Sequence, residues 1–74
     1  HPEFFSKLNA LSDNKLTPLD LRYCAYIHLK LSTKELATIF NVEPKSIRMT
    51  KYRIKQKLNL DKEQDLEDFL QNIV

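Results

Sequence analysis

The 74-residue chain has no glycine. That excludes the glycine-rich loops of nucleotide-binding proteins, whose backbone must approach phosphate closely. It also suits a chain built mostly of helix with short connections, because glycine weakens helices. There is one cysteine, Cys24, so no internal disulfide can form. With His1 and His28 the only histidines, one chain cannot assemble a zinc cluster. No apolar run reaches the roughly 18 residues of a membrane span. The opening His1-Pro2-Glu3-Phe4-Phe5 lacks a basic stretch followed by a long apolar one, so it is not expected to be a signal peptide. It reads as an excision from a longer protein. No acid, base and nucleophile set is visible, so neither an enzyme nor a cofactor is expected.

What is present is enough for one modest core. Hydrophobic residues make up 42% of the chain, and a chain this short has too little interior to divide between two domains. Net charge is only +2, but its distribution is uneven. Six basic residues and no acid lie between Pro44 and Leu58: Lys45, Arg48, Lys51, Arg53, Lys55 and Lys57. Five acids and one base then fall between Asp61 and Asp68. A single-sign segment bordered by the opposite sign is either a face for an anionic partner or a solvated helix face.

Helix start signals recur along the chain. Thr17 can cap a helix with Pro18 in its first position and Asp20 as the capping-box acid, while Leu16 and Leu21 form a hydrophobic staple. Leu21, Cys24, Ile27 and Leu31 follow at helical spacing, which reads Cys24 as a small core residue and His28 as a helix-packing one. Ser32 and Glu35 form a second capping box, stapled by Leu31 and Leu36. The short helix after it takes its apolar face from Leu36, Ala37, Ile39 and Phe40. Asn41 tolerates the left-handed conformation and can end it. Pro44 opens a third helix, with Glu43 as a weak cap and Val42 and Ile47 as the staple. Ile47, Ile54 and Leu58 share one face, and Asn59 ends the helix. Asp61 with Gln64 is expected to open a last helix with a Leu66, Phe69, Leu70 and Ile73 stripe. Phe4, Phe5, Leu8 and Leu11 mark a helix near the start. The expectation is five helices, with an N-terminal helix or linker over 1–15 and a second unit over 16–74.

The short helix, the turn Asn41-Val42-Glu43 and the longer basic helix have helix-turn-helix spacing, in which the second helix lies in the major groove. Small Ala37 lets the two helices cross closely. With Ile47, Ile54 and Leu58 inward, Lys45, Arg48, Met49, Tyr52 and Gln56 fall on the opposite or flanking face. Arg48 suits a guanine edge, Met49 a thymine methyl and Gln56 an adenine. Tyr52 either contacts DNA or packs against a neighbouring helix. Lys51, Arg53, Lys55 and Lys57 are expected to reach phosphates or stay solvated. Thr33 and Lys34, at the start of the shorter helix, form a second phosphate anchor.

The segments Leu16-Thr17-Pro18, Leu31-Ser32-Thr33-Lys34-Glu35-Leu36-Ala37, Lys45-Ser46-Ile47 and Lys57-Leu58-Asn59-Leu60 resemble the LuxR/GerE-type DNA-binding domain. The opening pentapeptide, Leu21 to Tyr26, and Arg48 through Leu58 further resemble the C-terminal domains of large Bacteroidetes sensor-regulator proteins. The resemblance implies an all-α fold: a four-helix core with an additional N-terminal helix, whose third core helix enters the groove. It implies base contacts from Arg48, Met49 and Tyr52, and less firmly from Lys45. It further implies an upstream sensor in a longer, membrane-anchored or soluble parent, with this domain in the bacterial cytoplasm. Three positions depart from the pattern. Lys30 and Asn59 stand where glycine is common, and Lys51 stands where an aliphatic residue is common. Lys51 is expected to pack its stem and expose its amine.

The leading expectation is sequence-specific binding of double-stranded DNA, as the output domain of a transcriptional regulator. One alternative is a promoter-reading domain like the fourth region of a sigma factor, against which the helix after Asp61 argues. The other is a helical protein-interaction module without DNA binding. For the last helix, two roles stand: Leu66, Phe69, Leu70 and Ile73 cover the core, or they form a homodimer seam, and both hold if the stripe is wide.

Overall fold

The computed structural model describes residues 2–74, so the expectation for His1 lies outside the described residues. The described chain is all helical, with five helices. They are α1 (Pro2–Leu11), α2 (Pro18–His28), α3 (Thr33–Phe40), α4 (Pro44–Lys57) and α5 (Leu66–Gln71). α3 packs on α4, and α2 packs on α5.

The local signals for α2 and α3 are realised in full. The Asp20 backbone N–H donates to Thr17 Oγ1 (3.1 Å), and the Thr17 N–H donates to Asp20 Oδ2 (3.1 Å). Ser32 and Glu35 make the same reciprocal pair at 3.1 and 2.8 Å. Each box satisfies two N–H groups that a helix start otherwise leaves open. Glu35 is fully exposed, and the Ser32 hydrogen bonds hold its carboxyl below the ordinary value. α4 begins differently: Glu43 makes no side-chain cap, and Pro44 fixes the first turn.

Without glycine, five of the described residues take positive φ: Asp13, Asn14, Lys30, Asn41 and Asn59. Four are Asp or Asn, whose short polar side chains tolerate this region; Lys30 is the exception. Asn41 (φ 54°, ψ 48°) closes α3, and the Val42 N–H returns to the Ala37 carbonyl at 3.0 Å. Asn59 does the same for α4, with the Leu60 N–H on the Lys55 carbonyl at 3.0 Å. Lys30 and Asn59 thus adopt the geometry that glycine would supply.

One core joins all five helices. Phe4 and Leu8 of α1 lie in it with Cys24 and Ile27 of α2, Leu36 and Ala37 of α3, Ile47 and Ile54 of α4, and Leu66 and Leu70 of α5. α1 is therefore packed into the same core as the rest and is not a detached linker. Burying a side chain such as Leu8 contributes about 1.5–3 kcal/mol. Phe5 and Leu11 are exposed: Phe5 lies about 100° round the helix from Phe4, and Leu11 is the last residue of α1. Tyr23 is buried and stacks on Phe40, with centroids 4.1 Å apart and planes at 10°. Phe40 also lies under the Arg22 guanidinium, 5.2 Å from the ring centroid. Ile39 is exposed, so the core face of α3 is narrower than expected.

His28 binds three helices together. Its Nδ1 lies 2.6 Å from the Leu70 carbonyl, which can only accept, so Nδ1 carries the proton. Its ring packs on Phe4, with centroids 4.5 Å apart. Cys24 is buried, and loss of solvation, aided by the Asp20 charge, pushes its thiol up to about 12. It stays protonated and inert at neutral pH.

The last helix starts later than the sequence suggests. Asp61 to Gln64 is a turn: the Asp61 N–H donates to Gln64 Oε1 (2.8 Å), and the Gln64 N–H donates to the Asp61 carbonyl (3.2 Å). The capping side chain is satisfied within that turn, and α5 begins at Leu66. Leu66 and Leu70 are buried in the core, while Phe69 and Ile73 are half-buried against it. The core-covering role therefore accounts for the stripe.

Candidate nucleic-acid interface

α4 is divided lengthwise by its packing. Ile47 and Ile54 are 0% exposed, and Leu58 is buried beside them. At about 100° per residue, those three positions fall within an arc of roughly 40°. Lys45, Arg48, Met49, Tyr52 and Gln56 fall within an arc of roughly 100° on the opposite side. All five are exposed, Met49 and Tyr52 each at 63%. The inward stripe therefore fixes which side chains α4 presents outward.

Tyr52 is largely exposed. Its hydroxyl accepts a hydrogen bond from the Gln56 amide (3.2 Å), one turn further along the same face. Among the described residues, Lys45 and Arg48 have no ion-pair partner. Lys34 is exposed at the start of α3, beside half-buried Thr33.

The lysines on the flanks of α4 are placed otherwise than expected. Lys57 Nζ lies 2.7 Å from Asp20 Oδ2, and Arg53 lies 3.7 Å from Oδ1. Asp20 is 1% exposed. Burial pushes its carboxyl up, but the hydrogen bonds from Lys57 and from the Thr17 N–H outweigh it and hold Asp20 below the ordinary 3.8. On the other flank, the Lys51 amine donates to Thr33 Oγ1 (2.7 Å) and to Glu67 Oε2. The stem-packed, amine-exposed arrangement expected of Lys51 is thus corrected, because a threonine and a carboxylate stand where the amine emerges. Glu67 is also held below its ordinary value: its burial opposes this, and the Lys51 hydrogen bond prevails. Lys55, half-buried, donates to the Lys62 carbonyl (3.3 Å). Of the four lysine and arginine residues assigned to phosphates on α4, Arg53 remains exposed, Lys51 and Lys57 are paired with carboxylates of neighbouring helices, and Lys55 bonds to a backbone carbonyl.

Arg48, Tyr52, Lys55, Thr33 and Lys51 line a cleft of about 310 Å³ between α4 and the start of α5, together with Asp65, Leu66 and Glu67. The sequence contained one unused signal for these contacts. Asp20 precedes Cys24 and Ile27 by four and seven residues, so it shares their inward stripe and demands a cation. Nothing comparable marks Glu67, which lies in a run of acids.

Among the described residues, no cluster of histidine, cysteine and acidic side chains is arranged to hold a metal. Among the described residues, no helix is long and apolar enough to cross a membrane. Comparison with family models, with curated proteins and with solved structures gives no match.

Proposed function

We propose that this chain binds double-stranded DNA, with α3, the Asn41–Glu43 turn and α4 acting as a helix-turn-helix and α4 lying in the major groove. The observation that carries this reading is the outward face of α4, where five exposed side chains able to contact base edges stand opposite a fully buried stripe. Arg48 is suited to a guanine edge in bidentate fashion, Met49 to a thymine methyl, and Gln56, braced on Tyr52, to an adenine. Lys45 stands at the N-terminal end of the same face. Lys34, Arg53 and the first turn of α3 supply contacts to the DNA backbone. The resemblance to LuxR/GerE-type domains supports the same reading and extends it to the cytoplasmic output domain of a transcriptional regulator.

The test is binding to duplex DNA across a salt series. Affinity is expected to fall steeply as salt rises, because each neutralised phosphate releases counterions. Arg48→Ala should cost about 1–3 kcal/mol on the preferred site and relax its base preference. Lys34→Ala should weaken all duplexes alike and flatten the salt slope by about 1. If the domain, tested also as a forced dimer, shows no preference over random DNA at low salt, the reading fails and a protein-interaction role takes its place.

A further inference from the structure

We infer that the cleft between α4 and the start of α5 is a seat for a DNA backbone phosphate, and that the Glu67 carboxylate occupies it in the free protein. Lys51 exchanges Glu67 for the phosphate when DNA binds. The inference rests on the DNA-binding reading of α4 and adds a second, competing occupant to its flank.

The chemistry of the cleft carries the argument. Three basic residues, Arg48, Lys51 and Lys55, line about 310 Å³ beside the outward face of α4, together with Thr33 and two acids, Asp65 and Glu67. Only Glu67 of the two acids is paired with Lys51. A carboxylate and a phosphate present similar charged oxygens to an ammonium group. Lys51 has three N–H donors; Thr33 takes one and Glu67 another. The bond to Thr33 does not depend on Glu67, so it holds the amine in the cleft whichever anion is present. The Glu67 side chain is 35% exposed and sits on the wall of an open cleft. A pair so placed contributes little net stability, at most about 1 kcal/mol, and its carboxylate has room to turn out into water. Lys57 offers the contrasting case. Its partner Asp20 is 1% exposed and bound into the α2 capping box, so it cannot leave.

Glu67→Gln tests this directly, with binding to random-sequence duplex measured over a salt series. Freed of its competitor, the cleft takes the phosphate without giving up an ion pair, so affinity at low salt should rise severalfold while the slope of log affinity against log salt stays as it was. Lys51→Gln alone should flatten that slope by about 0.9. Glu63→Gln, an equal charge change on the exposed turn before α5, is the control for long-range field. The double variant Glu67→Gln/Lys51→Gln should lose the gain. An equal gain in Glu63→Gln, an unchanged affinity in Glu67→Gln, or an unchanged slope in Lys51→Gln overturns the inference while leaving the DNA-binding reading intact. Failure of the unaltered chain to bind any duplex overturns both.

A second measurement needs no variant. In the unaltered chain, the Lys51 side-chain resonances should shift on addition of random-sequence duplex, with Lys57 as the internal reference. Lys51 resonances that do not move contradict the exchange.

Discussion

The two flanks of α4 are each held by an acid from a neighbouring helix, and the acids differ in their access to water. On the α2 side, Asp20 is buried, belongs to a capping box and binds Lys57. On the α5 side, Glu67 stands on the wall of an open cleft and binds Lys51. The ion chemistry is the same, but solvent access divides the roles. A charge removed from water must keep its partner, because an orphaned buried charge is costly. A charge that can rehydrate is free to exchange its partner. The α2 side of α4 is therefore held by an enclosed acid and the α5 side by an acid that meets solvent.

The sharpest way to break this contrast is to remove each acid in turn. Asp20→Ala removes the cap acid and the buried partner of Lys57 together, and should destabilise the fold by about 2–3 kcal/mol in chemical denaturation. That is less than the full cost of orphaning a buried charge, because a quarter of the Lys57 side chain stays in water. Glu67→Gln should cost no more than about 0.5–1 kcal/mol. Equal costs would erase the distinction between the flanks.

Acid titration sharpens the same point. The folded state holds Asp20 below its ordinary 3.8, so its contribution is complete above that pH and is lost as pH falls further and the carboxylate takes up a proton. In Asp20→Asn, the dependence of stability on pH below about 3.8 should flatten. If the two curves stay parallel, the Asp20–Lys57 pair does not hold the fold.

The smallest expected effect lies away from both flanks. Lys30 has φ 69° in the α2–α3 connection. An L-residue there costs about 1–2 kcal/mol, and the greater freedom of unfolded glycine offsets part of that gain. Lys30→Gly should therefore stabilise the domain by about 0.5–1 kcal/mol in thermal or denaturant unfolding, leaving both flanks of α4 unchanged.

Much of this architecture was legible in the sequence wherever the signal was local. The Thr17–Asp20 and Ser32–Glu35 boxes need only residues three apart, and both form as the sequence suggests. Asn41 and the inward stripe of α4 were readable for the same reason. The start of α5 was not, because Gln64 caps its own turn instead of a helix. Ile39 is exposed although its spacing groups it with Leu36 and Phe40, because spacing alone does not tell how wide a stripe the neighbouring helices cover. The outward placement of Lys45, Arg48, Met49, Tyr52 and Gln56 followed from periodicity. The fates of Lys51 and Lys57 did not, since their partners lie 16 and 37 residues away.

The central claim is that the outward face of α4 reads base sequence. Selection of bound duplexes from a random pool tests it most directly, run in parallel on the unaltered chain and on Arg48→Ala. The expected result is an enriched motif containing a guanine position that Arg48→Ala no longer selects. A pool that stays random at low salt, or the same motif recovered with Arg48→Ala, would contradict it.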